Sequence, residues 1–396
     1  MSIFHKIEDA AYVWREEMKN VIKDEGVLIF FIIVPLIYPL LYSWIYNNEV
    51  VHDVPVVVVD DSHSGQSREL VRKLDASADV KILCYAADMD EAKSLVSRQM
   101  AKGIYYIPSD FATRLNRMEQ ATLVVYCDMS LMLAYKAIYQ TAVNVTQYMG
   151  AQIQSKVSGK YTVREEQIQS RPLDFQDVPI FNPQGGYGTF VLPAVLMLIL
   201  QQTLVLGIGL SAGTARETNP HGDLVPIHPA YSGIYRIVWG KALCYIMIYA
   251  VMGAYLSVVV PRIFSFVTMA KGIDLLLLML PYVLACVFFG MTVSCLVRYR
   301  ENVMLLVVFI SLPLLFMVGI SWPQCAIPGA WQGVSWLFPS TFGARAYVRM
   351  NTMGASLNDV LPELRYLWIQ AALYFGTACL VYGHQLRQSR RHAAEA

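Results

Sequence analysis

The sequence predicts an α-helical multi-pass membrane protein with six transmembrane helices and an inserted extracytoplasmic α/β domain. Three observations predict it. Of 396 residues, 56% are hydrophobic and only 15% charged, against about 25% charged in an ordinary soluble domain. The charges are unevenly spread: 31 of the 61 fall within residues 47–186, and only 20 within residues 187–396. Outside 47–186, six runs are long and apolar enough to cross a bilayer core roughly 30 Å thick. This distribution excludes a soluble two-domain enzyme. The modest Gly, Pro and Cys counts of 24, 18 and 7 exclude collagen-like, disordered and disulfide-scaffold chains. A net charge of +1 offers no basic field to attract nucleic acid.

Residues 1–26 come first. Phe4, Ile7, Ala11, Trp14, Met18 and Val21 recur at steps of three and four, which places them on one face of a helix. Such a helix is expected to lie in the cytoplasmic interface. Packing on a soluble partner stays open as a second reading, because the segment is net negative and anionic lipid would not attract it. The spans are expected at 27–46, 189–210, 242–261, 275–297, 303–321 and 366–386. The first is not expected to be a signal peptide: 26 residues precede it, six of them acidic, and no small-x-small step follows Tyr46.

Orientation follows from Lys and Arg near the span ends. With the N-terminus inside, the inner segments hold Lys6, Arg15, Lys19, Lys23, Arg216, Arg236, Lys241, Arg298, Arg300, Arg387, Arg390 and Arg391. The short outer loops hold Arg262, Lys271, Arg345, Arg349 and Arg365. Both termini are therefore expected in the cytoplasm and residues 47–186 outside it.

In that inserted domain, strands are expected at 54–60, 80–86, 103–108 and 122–128, alternating with helices at 65–76, 89–100 and 110–118. Asp88 with Glu91 reads as a capping box and Ser109 as an N-cap. A long helix over about 131–157 would stand as a stalk, and 171–188, with three prolines and three glycines, reads as a linker back to the bilayer. After the second span, 211–241 is expected as a cytoplasmic segment containing Arg216, Glu217, Pro220, Pro226 and Pro229. Residues 322–362 carry Trp322, Trp331, Trp336 and Phe338 broken by Pro323, Pro328 and Pro339, and suggest re-entrant or interfacial helices.

Catalytic apparatus is missing. Gly159-Lys160 lacks the upstream glycine of a phosphate-binding loop, and Gly240-Lys241 is followed by Ala242. Cys84 and Cys127, on separate expected strands, invite either a disulfide or simple packing. His221, Asp223 and His228 match no standard metal spacing, and no metal is expected. Asp60-Asp61-Ser62 suggests an ion or phosphate site or, better, a turn and a cap. Gln201 and Gln202 sit near the middle of the second span, where amides must face other helices or a transport pathway. With no charge at the centre of any span, an ion-coupled carrier is disfavoured.

The order of several short motifs resembles the permease subunits of ABC exporters of the type-2 (ABC-2) class, in the branch with a large domain after the first span. Arg216-Glu217, then Leu224-Val225-Pro226-Ile227, then Gly240-Lys241 is similar to the family's cytoplasmic loop. Gly319-Ile320-Ser321-Trp322-Pro323 and Leu337-Phe338-Pro339-Ser340-Thr341, with Gly354-Ala355, resemble its fifth-to-sixth connection. Asp60-Asp61-Ser62 and Ile107-Pro108-Ser109-Asp110-Phe111 resemble its outer domain. One departure is Thr218-Asn219-Pro220-His221, where the family usually has Gly-Thr two residues after Arg-Glu. The resemblance implies export of a hydrophobic or amphipathic substrate across a bacterial inner membrane, with ATP and Mg²⁺ bound by a separate ABC ATPase subunit and no cofactor in this chain. It implies a second permease chain, identical or paralogous, and a periplasmic adaptor with an outer-membrane channel as further partners. It also implies ATPase coupling through Trp14, Arg216 and Glu217, with Lys241 anchoring the loop at the interface. The competing class is a non-transporting scaffold or sensor whose outer domain binds a ligand.

Overall fold

The computed structural model describes residues 3–47, 50–158, 180–182, 186–219, 221–231, 233–319 and 321–395. Gly159-Lys160, Pro220, Ile320 and most of the linker expected at 171–188 lie outside the described residues. The chain divides into two compact units, Met1–Asn47 with Ile180–Ala396, and Asn48–Pro179.

The first unit begins with α1 (Ile3–Lys23). It stops at Asp24, whose carboxylate accepts the Val27 N–H at 3.2 Å and so caps the next helix, α2 (Glu25–Ile45). A π-helical turn at Ile29–Ile33 precedes Pro35, which lacks the N–H an α-helix needs there. That turn carries Phe31 into a notch at Gly207, where a Cβ would lie 2.2 Å from the ring. The rings of Tyr245 and Tyr249 close around Phe31 at 5.6 and 5.5 Å between centroids.

The second unit is a four-stranded sheet with helices. In chain order it runs β1 (Val54–Asp60), α3 (Gly65–Asp75), β2 (Val80–Tyr85), α4 (Met89–Ser97), β3 (Gly103–Ile107), α5 (Phe111–Asn116), β4 (Val124–Cys127) and α6 (Met132–Ser158). The order across the sheet is β2-β1-β3-β4, with β1 parallel to both neighbours and β4 antiparallel to β3. The central strand is apolar on both faces: Val54, Val56 and Val58 pack with Leu70, Leu74 and Ile138, and Val57 and Val59 with Ala92 and Ile104. Asp60 accepts the N–H groups of Ser62 and His63 and the Ser67 hydroxyl, so its carboxylate builds the turn into α3. Asp88 caps α4 through the Glu91 N–H, while Glu91 reaches back to Ala87, one residue beyond a reciprocal box. The N-cap expected at Ser109 is corrected: α5 begins after Asp110, which makes no side-chain cap. Cys84 on β2 and Cys127 on β4 are free thiols. Two strands separate them, roughly 14 Å at sheet spacing, which is beyond the reach of a disulfide.

The first unit resumes with α7 (Tyr187–Thr218), α8 (Ile234–Ile263), α9 (Gly272–Leu296), α10 (Arg300–Met317), α11 (Gly329–Ser335), α12 (Pro339–Asn351) and α13 (Leu361–Glu395). Among the described residues, six helices, α2, α7, α8, α9, α10 and α13, are long and apolar enough to cross a membrane. Helix α7 is central: 83% of its most apolar window is buried, against 17% for α10. Helix α12, too short to span, packs on α7, α9 and α13 with Ser340, Thr341, Ala344 and Tyr347 fully buried. In α8, Pro261 cannot donate to the Ser257 carbonyl, and the Tyr347 hydroxyl fills that acceptor at 2.9 Å. Both ends of the segment expected at 211–241 are helical: α7 continues to Thr218 and α8 starts at Ile234, so Lys241 lies two turns inside a helix.

Candidate functional site

The last turn of α7 brings Arg216 and Glu217 to the turn between α9 and α10. Arg216, buried, donates to the carbonyls of Cys295, at 2.9 Å, and Val297 at the C-terminal end of α9. Glu217, exposed, accepts the Arg300 N–H at 3.5 Å at the start of α10. A cation thus sits at a helix C-terminus and an anion at the next N-terminus, each facing the favourable end of a helix dipole. Asp24 completes this corner by accepting from Arg300 Nη2 at 2.8 Å and from the Thr214 hydroxyl. Burial would raise the Asp24 carboxyl, but the Thr214 and Val27 donors and the Arg300 charge outweigh it and hold it below the usual carboxylate range.

Two turns deeper, Glu17 of α1 is 2% exposed. It accepts from Lys241 Nζ at 2.6 Å, from the Ser211 hydroxyl at 3.0 Å and from the Tyr245 hydroxyl. Burial again opposes ionisation, but the Lys241 ammonium and the three donors prevail, and the carboxyl is held below its ordinary value. Lys241, expected to anchor the loop at the interface, has its ammonium buried against Glu17 of α1. Asp9 and Arg236 form a further pair. Trp14 is half-buried on α1 and packs against the core, its Nε1 without a partner among the described residues.

The loop between α7 and α8 is held from both sides. Tyr12 of α1 stacks on His228 at 4.7 Å. From α13, His392 meets Asp223 at 3.0 Å and the Ser389 hydroxyl donates to the Val225 carbonyl at 2.9 Å. His221, Asp223 and His228 therefore do not converge, and among the described residues no three His, Cys, Asp or Glu side chains could hold a metal. Three clefts of about 570, 470 and 380 Å³ surround the end of α7, lined among others by Asn20, Thr218, Glu217, Tyr299, Asp223 and Ile227.

The family model for the ABC-2 family transporter protein matches residues 26–380 of this chain. The chain belongs to the ABC-2 transporter family. No curated protein matches the sequence at a significant level. An ABC-2 permease is a multi-pass membrane transport subunit that is not itself catalytic, and it implies an ABC ATPase partner.

In this ABC-2 permease, Gln201 is 1% exposed; its side-chain oxygen accepts the Ser340 N–H at 2.6 Å at the start of α12 and the Cys286 thiol at 3.9 Å. Gln202, the next residue, is half-buried. The structure brings Arg216, Glu217, Trp14 and Lys241 to the same end of the helices, and leaves Gln201 and Gln202 about four turns of α7 away. Sequence reasoning missed Glu17, Asp24, Ser211, Tyr245 and Arg300. A signal was present: Asp9, Glu17 and Asp24 follow each other at steps of eight and seven, which in a continuous helix would keep three acids on one side; Asp9 and Glu17 lie on α1 and Asp24 just past its end.

Proposed function

We propose that this permease is the membrane subunit of an ATP-driven exporter, moving a hydrophobic or amphipathic molecule out of the cytoplasm or the inner leaflet. A separate ABC ATPase, which binds ATP and Mg²⁺, docks on the end of α7 and the loop after it. The observation that carries this reading is the bracket of Arg216 and Glu217 on the turn between α9 and α10. Through it a force on one surface reaches α7, α9 and α10 together, while α1 and α13 hold the adjoining loop. The excess of Lys and Arg at this end supports both termini in the cytoplasm, and the second unit then lies outside, where an adaptor would meet it. A second permease chain completes the pathway, and Gln202 faces it.

The test is the ATPase rate of the reconstituted complex in lipid vesicles with a panel of lipids and hydrophobic drugs. Wild type is accelerated by at least one of them, and Glu217→Ala inserts normally but loses the acceleration. A Glu217→Ala complex accelerated like wild type contradicts the docking site. A chain that carries no ATPase at all and signals through its loops is the sensor.

A further inference from the structure

A buried ion pair is an expensive way to hold two helices together. The desolvation of both charges offsets most of their attraction, and apolar residues of similar volume stabilise as well or better. What such a pair supplies is register, because a one-turn slip leaves both charges buried and alone. Glu17 and Lys241 meet these conditions: their side chains are 3% and 5% exposed, and the carboxylate has three donors from two helices.

The placement of those donors matters more than their number. Ser211 lies on α7 two turns before its end, and Lys241 and Tyr245 lie on α8 two and three turns after its start. Glu17 therefore ties α1 to both helices that flank the cytoplasmic loop. Asp9 with Arg236 fastens α1 to α8 farther along, and Asp24 with Arg300 fastens the turn just past the end of α1 to α10, but both pairs are more exposed. Val13 and Val21 are fully buried one turn on either side of Glu17, and Val13 seats in a notch at Gly240 of α8, where a Cβ would lie 2.8 Å from it.

We infer that Glu17 is a positioning residue for coupling: through Lys241, Tyr245 and Ser211 it locks α1, α7 and α8 into one body that moves as a unit when the ATPase closes. The inference rests on the proposed function. Without the pair, α1 is held on α8 by the more exposed Asp9–Arg236 pair and the Val13 packing alone, and under the ATPase stroke it slips by about one helical turn, roughly 5 Å, in which the stroke is lost.

The experiment uses the full chain with the ATPase that copurifies with it, in vesicles of phosphatidylethanolamine and phosphatidylglycerol. Spin labels at Lys19→Cys on α1 and Tyr235→Cys on α8, with exposed Cys325 changed to Ser, report the distance between the helices. It is read without nucleotide and after trapping with ATP and vanadate. The single variant Glu17→Leu strands the Lys241 charge and can fail to fold, so the deciding variant is Glu17→Leu with Lys241→Met, which removes both charges. In wild type the distance is the same in both states. In the double variant, folded and bound to the ATPase, it changes by about 5 Å between states, and the charge swap Glu17→Lys with Lys241→Glu restores the constant distance. A double variant whose distance stays as constant as wild type reduces the pair to a packing role and overturns the inference alone. If no ATPase copurifies with wild type, the proposed function falls and the inference falls with it.

Discussion

Arg216 and Glu17 are both buried and both fully engaged, yet they do different work. Arg216 caps a helix end by donating to two of the last carbonyls of α9, which the helix itself leaves without a donor. Arg216→Ala should lower stability by about 2–3 kcal/mol, the cost of losing charge-assisted bonds to buried carbonyls, read as a drop in the thermal midpoint in detergent. An unchanged midpoint would show that the α9 end finds other donors. Gly207 is similarly specific. Gly207→Ala drives a methyl into the Phe31 ring and should cost about 1–3 kcal/mol, with Phe31→Leu recovering part of the loss in the double variant. The acids set the pH response. Glu17 and Asp24 titrate below their unfolded values of about 4.3 and 3.9, so their contribution is fully present above those values and is lost as pH falls through the lower folded ones. The thermal midpoint should be nearly flat from pH 7 to 5 and fall below about pH 4. Asp24→Asn should flatten that acid limb, and an equally steep limb would assign it to other carboxylates.

At the scale of elements, the strands and spans were readable because one property decides each of them. β1 was found at its observed bounds, since a run of valines ending at Asp60 and Asp61 suits a buried parallel strand and a turn, and little else. The helix ends were not readable. A hydropathy window closes where apolar residues stop, near Leu210, whereas α7 continues to Thr218 because Arg216 and Glu217 find partners on helices 80 positions away in sequence. For the same reason Lys241 read as an interfacial anchor: its partner lies on α1, and no local pattern joins positions 17 and 241. The face of α1 that holds Asp9 and Glu17 gives an element-scale prediction. One alanine inserted between Asn20 and Val21 turns the upstream part of α1 by about 100° and takes Glu17 off Lys241. The expected outcome is rapid proteolysis of residues 1–20 in a protein whose remaining helices stay protected, and a protease-resistant α1 would contradict the contact.

At the scale of the whole molecule, the fold separates a sheet unit with its own two cores from a helical unit with a core of its own. The family follows from the match over residues 26–380, and the proposed docking place of the ATPase is the end of α7 with the loop after it. Photocrosslinking of the full chain in its own membranes tests this most directly, with a crosslinking residue at Ile227 in the loop after α7 and, as control, at Met269 beyond the opposite end of α8; both are exposed. The account predicts that Ile227 captures an ABC ATPase subunit and Met269 does not. Capture from Met269, or none from Ile227 while an ATPase copurifies, would contradict it.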